Sequence, residues 1–98
     1  MKYVLRIRKD AEEDAFRVYD WYDDQSVGLG VRLLSELDDV YERIVENPLL
    51  YADAHRGVRR AVPRNFPVGV FYTIVGHIIQ VIAVDHLARN PKRWKGRA

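Results

Sequence analysis

The second half of the chain is rich in side chains that hold anions. Arg59 and Arg60 are adjacent, Arg64 follows, and His86, Arg89, Lys92, Arg93, Trp94 and Arg97 crowd the last stretch. Arginine presents a flat fork of donors that fits phosphate or carboxylate. Trp94 and Tyr72 offer rings on which a base can stack, and His86 is the side chain suited to proton transfer near neutral pH. The imbalance of charge is local. Residues 1–49 carry 7 Lys/Arg against 12 Asp/Glu, net −5, whereas residues 50–98 carry 9 against 2, net +7. Each residue also has an ordinary reading: exposed arginines solubilise a sheet edge, Trp94 pins the tail to the core, and His86 donates to a backbone carbonyl. The bland reading is that the two halves neutralise one another within the fold, but the concentration of cations favours an anionic partner.

Other chemistries are excluded by what is missing. Cysteine is absent, which removes disulfide scaffolds, thiolate metal sites and a cysteine nucleophile. His55, His77 and His86 have no metal-ligand spacing among them or with carboxylates, so no metal is expected. Asp85 and His86 are neighbours in a strand and point to opposite faces, which prevents a side-chain dyad. There is no Gly-x-Ser-x-Gly elbow around Ser26 or Ser35 and no glycine-rich phosphate loop, so no cofactor is implied. No apolar run approaches the length of a membrane span, and Lys2, Arg6, Arg8 and Lys9 interrupt the first apolar stretch. The expected location is cytoplasmic, with no membrane partner.

The elements that must position these residues follow from periodicity. Tyr3, Leu5 and Ile7 alternate with Arg6 and Arg8 as in an edge strand. Asp10, with Glu13 three residues on, resembles a capping box ahead of a helix that buries Ala11, Ala15, Val18, Tyr19 and Tyr22 and runs to about Gln25. Gly28 and Gly30 break it, and Leu33, Leu34, Leu37, Val40, Tyr41 and Ile44 mark a second helix that Asn47-Pro48 stops. The period then changes to two, giving strands over Val58–Val62, Val68–Val75 and His77–Val84, the last two joined through Val75-Gly76-His77. At 98 residues the chain has room for one domain, residues 1–98. Its class is α+β, in the order β-α-α-β-β-β, with a helical hairpin packed on one face of a mostly antiparallel sheet and the other face free to bind. In the first helix Phe16 and part of Trp21 fall off the apolar stripe, where they would form a patch for a partner to cover.

Taken together, Asp20-Trp21-Tyr22, Gly28-Leu29-Gly30, Asn47-Pro48, Arg59-Arg60, Phe66-Pro67 before Phe71-Tyr72, and His86 through Arg89, Pro91 and Trp94 resemble toxins of the RelE/ParE superfamily of type II toxin-antitoxin systems, over almost the whole chain. The resemblance implies a growth-inhibiting toxin neutralised by a cognate antitoxin protein, with operator DNA bound only through that antitoxin. One branch of the superfamily cleaves mRNA on the ribosome, and the other inhibits DNA gyrase. In the nuclease branch an arginine commonly precedes the apolar run on the middle strand, and here Pro67 stands in its place, which favours gyrase inhibition and leaves ribosome-dependent mRNA cleavage as the alternative. In a nuclease, Arg59, Arg60, His86 and Arg89 would be the catalytic set. Arg64, Tyr72, Lys92, Arg93, Trp94 and Arg97 would meet the target or nucleic acid, and Phe16, Trp21 and Leu29 the antitoxin. A non-toxic nucleic-acid-binding module or a plain dimerisation domain remain as further readings.

Overall fold

The computed structural model describes residues 2–98; Met1 of the expected domain lies outside them. The elements are β1 (Val4–Ile7), α1 (Lys9–Gln25), α2 (Leu29–Glu46), β2 (Asp53–His55), β3 (Val58–Ala61), β4 (Val68–Val75), β5 (Ile78–His86) and α3 (Lys92–Lys95). The expected α+β order holds, with two additions: the short strand β2 and the single turn α3. Both are too brief and too polar to leave a periodic signal.

The sheet runs β1-β5-β4-β3-β2. β1 is an edge strand, as its alternation predicts, and lies parallel to β5, with Val4 opposite Ile78 and Ile7 opposite Val81. The other pairs are antiparallel. β4 and β5 form the expected hairpin, turning on Gly76 at φ 61°. An extra residue, Ile82, sits opposite the Phe71–Tyr72 step as a bulge.

One face of the sheet carries the main core. Ala11, Val18 and Tyr22 of α1 and Leu33, Leu37, Val40 and Ile44 of α2 pack on Val70, Tyr72, Ile79, Val81 and Val84. Removing each large apolar side chain from water contributes about 1.5–3 kcal/mol. The opposite face is not wholly free. Val58, Phe71, Ile82 and Ala83 form a second apolar cluster with Trp94, whose indole stacks on the Phe71 ring at 4.3 Å and 14°.

Two local expectations need correction. α1 starts at Lys9 with Arg8 in the cap position and no side-chain cap, so Asp10 and Glu13 do not form a capping box. Asp10 sits in the first turn and pairs with Arg8 at 2.9 Å. Its charge there suits the positive end of the helix. At the hairpin loop, Gly28 adopts φ 94°, and the Asp23 carboxylate accepts the N–H groups of Gly28 and Gly30 at 3.0 and 3.2 Å. A β-carbon on Gly30 would lie 2.6 Å from the Tyr19 ring and 2.9 Å from its carbonyl oxygen, which explains how closely the two helices approach.

Candidate functional site

The register of the sheet decides which cations meet. Arg60 lies opposite Phe71 and so stands on the face away from the helices. His86 closes β5 and Arg89 follows it, while α3 places Lys95 beside Trp94. Arg60, His86, Arg89 and Lys95 line a groove of about 310 Å³ that also includes Phe71 and Trp94. Among the described residues no carboxylate lines it. Such a groove attracts anions and gives arginine forks a partly apolar backing, conditions under which a charged hydrogen bond is strongest.

His86 is the one proton-transfer group of this set near neutral pH. His86 pairs in register with Val68 of the helix-side core, and its ring lies 5.0 Å from Trp21 and 5.6 Å from Tyr22, so it stands at the rim of the groove with the imidazole turned toward α1. Burial lowers its pKa below the ordinary histidine value; Asp85 opposes the shift and Arg89 adds to it. Burial thus favours the neutral ring over the charged one. Asp85 does not bond to it: the carboxylate instead accepts the His86 backbone N–H at 2.8 Å.

The remaining candidates scatter. Arg59 points to the helix side and donates to the carbonyls of Tyr51 at 2.5 Å and Leu49 at 3.4 Å, so it staples the loop after α2 instead of joining the groove. Arg64 lies at a separate acidic hollow with Glu36, Asp39, Glu42 and Glu46. Tyr72, expected to offer its ring to a base, is 0% exposed, and its hydroxyl donates to the Pro48 carbonyl at 2.7 Å. Burial pushes its pKa up to about 12. Trp94 is buried against Phe71, which corrects its reading as a free stacking platform. Lys92 is exposed. Arg93 approaches the Asp14 carboxylate at 3.8 Å. Arg97 is bound up with Asp14 and Asp10 and is not free to meet a target.

Two participants escape sequence reasoning, and a third, Asp85, is weighed there only as a dyad partner for His86. Lys95 is inconspicuous in a tail of cations. Asp14 falls at a position in α1 that is fully buried, a placement no charged residue advertises. Asp85 keeps one carboxylate oxygen buried without a protein partner, its neighbour Arg89 standing 3.6 Å from the other oxygen.

Of the three residues expected to meet a partner, Phe16 and Trp21 are exposed and Leu29 is not fully so. Phe16 is 56% and Trp21 48% exposed on α1. Leu29 is half-buried against the core at the start of α2. Trp21, Tyr22, Pro67, Ala88 and Arg89 border a mainly apolar hollow beside His86.

Residues 5–91 match the family model described as the ParE toxin of the type II toxin-antitoxin system, parDE. The chain is 30% identical over 88 residues to Toxin ParE2 of two Mycobacterium tuberculosis strains, CDC 1551 / Oshkosh and H37Rv, covering 89% of this chain and 84% of each relative. Among solved structures it resembles the chromosomal ParDE toxin-antitoxin system of P. aeruginosa, with a TM-score of 0.65 and 19% identity over 87% of this chain and 96% of that one. It also resembles the RelBE2 toxin-antitoxin complex of M. tuberculosis, at 0.60 and 16% over 88% and 99%. A free mutant of E. coli toxin RelE matches at 0.63 and 14% over 100% and 95%. These structural likenesses establish the fold.

Proposed function

The chain belongs to the ParE toxin family of type II toxin-antitoxin systems, and we propose that it arrests growth by binding a target, as gyrase-directed toxins do, and not by cutting RNA. One observation supports this reading above the others: the cations Arg60, Arg89 and Lys95 line the groove, with His86 at its rim, and among the described residues no carboxylate does. Cleavage at a 2′-hydroxyl needs one group to remove a proton and another to supply one to the leaving oxygen. A neutral His86 can serve one of these roles. Arg60 and Arg89 stay protonated and can only stabilise charge. Tyr72 is buried and Pro67 has no side-chain proton, so neither completes a pair, and the Lys95 ammonium could donate a proton but leaves the base to a His86 ring that packs against Trp21 and Tyr22. Anion binding needs no such pair.

A cognate antitoxin is the partner this reading requires. The exposed Phe16 and Trp21 of α1, with the half-buried Leu29 at the start of α2, offer apolar surface to an amphipathic segment.

The test is direct. Purified protein is expected to block supercoiling by DNA gyrase while leaving mRNA intact in a translation extract, and Arg60→Ala or Lys95→Ala should weaken inhibition by about tenfold, the loss of roughly one charged hydrogen bond. Codon-phased mRNA cleavage that disappears in His86→Ala would replace this reading with the ribosome-dependent nuclease.

A further inference from the structure

The segment after Pro91 has little intrinsic reason to stay folded. α3 is four residues long, far below the length at which a helix is stable alone. Yet this segment supplies Trp94 and Lys95 to the groove. Trp94 secures one side of it through Phe71. The other side is held chiefly by Arg97, beside which Arg93 stands 3.8 Å from the same Asp14 carboxylate.

The Arg97 guanidinium makes a two-point contact with the Asp14 carboxylate, Nη1 to Oδ2 at 2.5 Å and Nη2 to Oδ1 at 3.2 Å. Its Nη1 also donates to the Ile82 carbonyl at 3.0 Å, and its Nε lies 3.3 Å from Asp10. Arg8 donates to the Arg97 carbonyl at 3.3 Å. Asp14 in turn accepts the Val84 N–H at 3.1 Å and pairs with Arg17. This happens where β1 has ended: its last contact with β5 is the Arg8 N–H on the Val81 carbonyl. Beyond that point Ile82 and Val84 have lost the neighbouring strand, and Asp14 with Arg97 takes its place.

We propose that Asp14 and Arg97 are positioning residues for the basic groove, clamping residues 91–97 so that Lys95 and the Trp94 wall face the target. This rests on the groove being the target-binding surface. The side-chain carboxylate of Asp14 is fully buried, so its orientation is fixed by the core of α1 and transmitted to the segment through a planar, two-point contact. Lysine at position 97 keeps the charge but has no fork to reach Asp14 and Ile82 together.

The experiment compares Arg97→Ala and Arg97→Lys with the unaltered full chain. Limited trypsin digestion followed by mass spectrometry reads cleavage after Lys92, Arg93 and Lys95, thermal unfolding checks the fold, and growth arrest on induction reads toxicity. Both variants should fold, expose these bonds to trypsin about tenfold faster than in the unaltered chain and lose toxicity together, with Lys giving no more than partial rescue. Unchanged trypsin protection overturns the clamp, and so does faster cleavage with undiminished toxicity or full rescue by Lys. If Arg97→Ala fails to fold, Arg97→Lys decides alone. Arg60→Ala and Lys95→Ala run in parallel. Toxicity intact in both overturns the groove as the target surface, whereas the trypsin result judges the clamp itself.

Discussion

The Trp21 indole meets the His86 imidazole edge to face, with ring centroids 5.0 Å apart and planes at 71°. A residue of the exposed helical patch therefore braces the one histidine of the basic groove. The exposed indole of α1 and the rim of the basic groove are thus adjacent, and a molecule that covers Trp21 stands beside the groove.

Phe16→Ala and Trp21→Ala should each weaken antitoxin binding by about tenfold or more, in the range of a truncated aromatic anchor. Phe16→Ala should leave the melting temperature almost unchanged because the side chain is already more than half exposed. Titration calorimetry against the protein encoded beside the toxin gene measures this. Unaltered affinity in both variants moves the interface elsewhere.

His86→Ala should reduce toxicity only modestly, by about tenfold at most for a lost contact, compared with about 10²- to 10⁴-fold in rate for a lost acid-base group. Dose-response curves of growth arrest at matched expression distinguish the two ranges.

The same histidine gives a pH signature. Its folded pKa is lowered, chiefly by burial. The unfolded chain, with an ordinary histidine near about 6.5, takes up the proton first as pH falls. This contribution to stability is complete above that value and is lost as pH drops through it toward the lowered folded value. Thermal melts on the acid side of neutrality should drift downward, and His86→Phe should flatten the drift. A slope identical in the variant contradicts the assignment.

Tyr72→Phe removes a buried hydroxyl and strands the Pro48 carbonyl, at a cost of about 1–3 kcal/mol. Toxicity per folded molecule should not change. A selective loss of target inhibition with unchanged stability would return Tyr72 to the functional surface.

Gly30→Ala forces a β-carbon into the Tyr19 ring and carbonyl. Overpacking of this kind costs about 1–3 kcal/mol, and chemical denaturation should report it. Gly57→Ala provides a contrast, since its space is open and only its φ of 84° opposes the change.

The helices and long strands were legible because their apolar residues repeat at 3.6 or 2, and the family resemblance drew on the same landmarks. The site was legible only in part. Of the residues the sequence singles out, Arg60 and Arg89 line one groove and His86 stands at its rim with the ring toward α1. Arg59 was paired with Arg60 because they are adjacent, yet adjacency in a strand is what sends them to opposite faces, one to the groove and one to the Tyr51 carbonyl. Tyr72 and Trp94 looked like platforms because ring chemistry is visible in a sequence and burial is not. Asp14 and Arg97 lie 83 positions apart, and no local pattern announces a contact over that distance.

β5 lies between β1 and β4, yet it comes after both in the chain. During synthesis the first strand has no neighbour to pair with until residues 78–81 emerge, and the groove cannot exist before His86, Arg89 and Lys95 have followed. The groove is thus completed only late in translation, when the last strand enters between two that are already made.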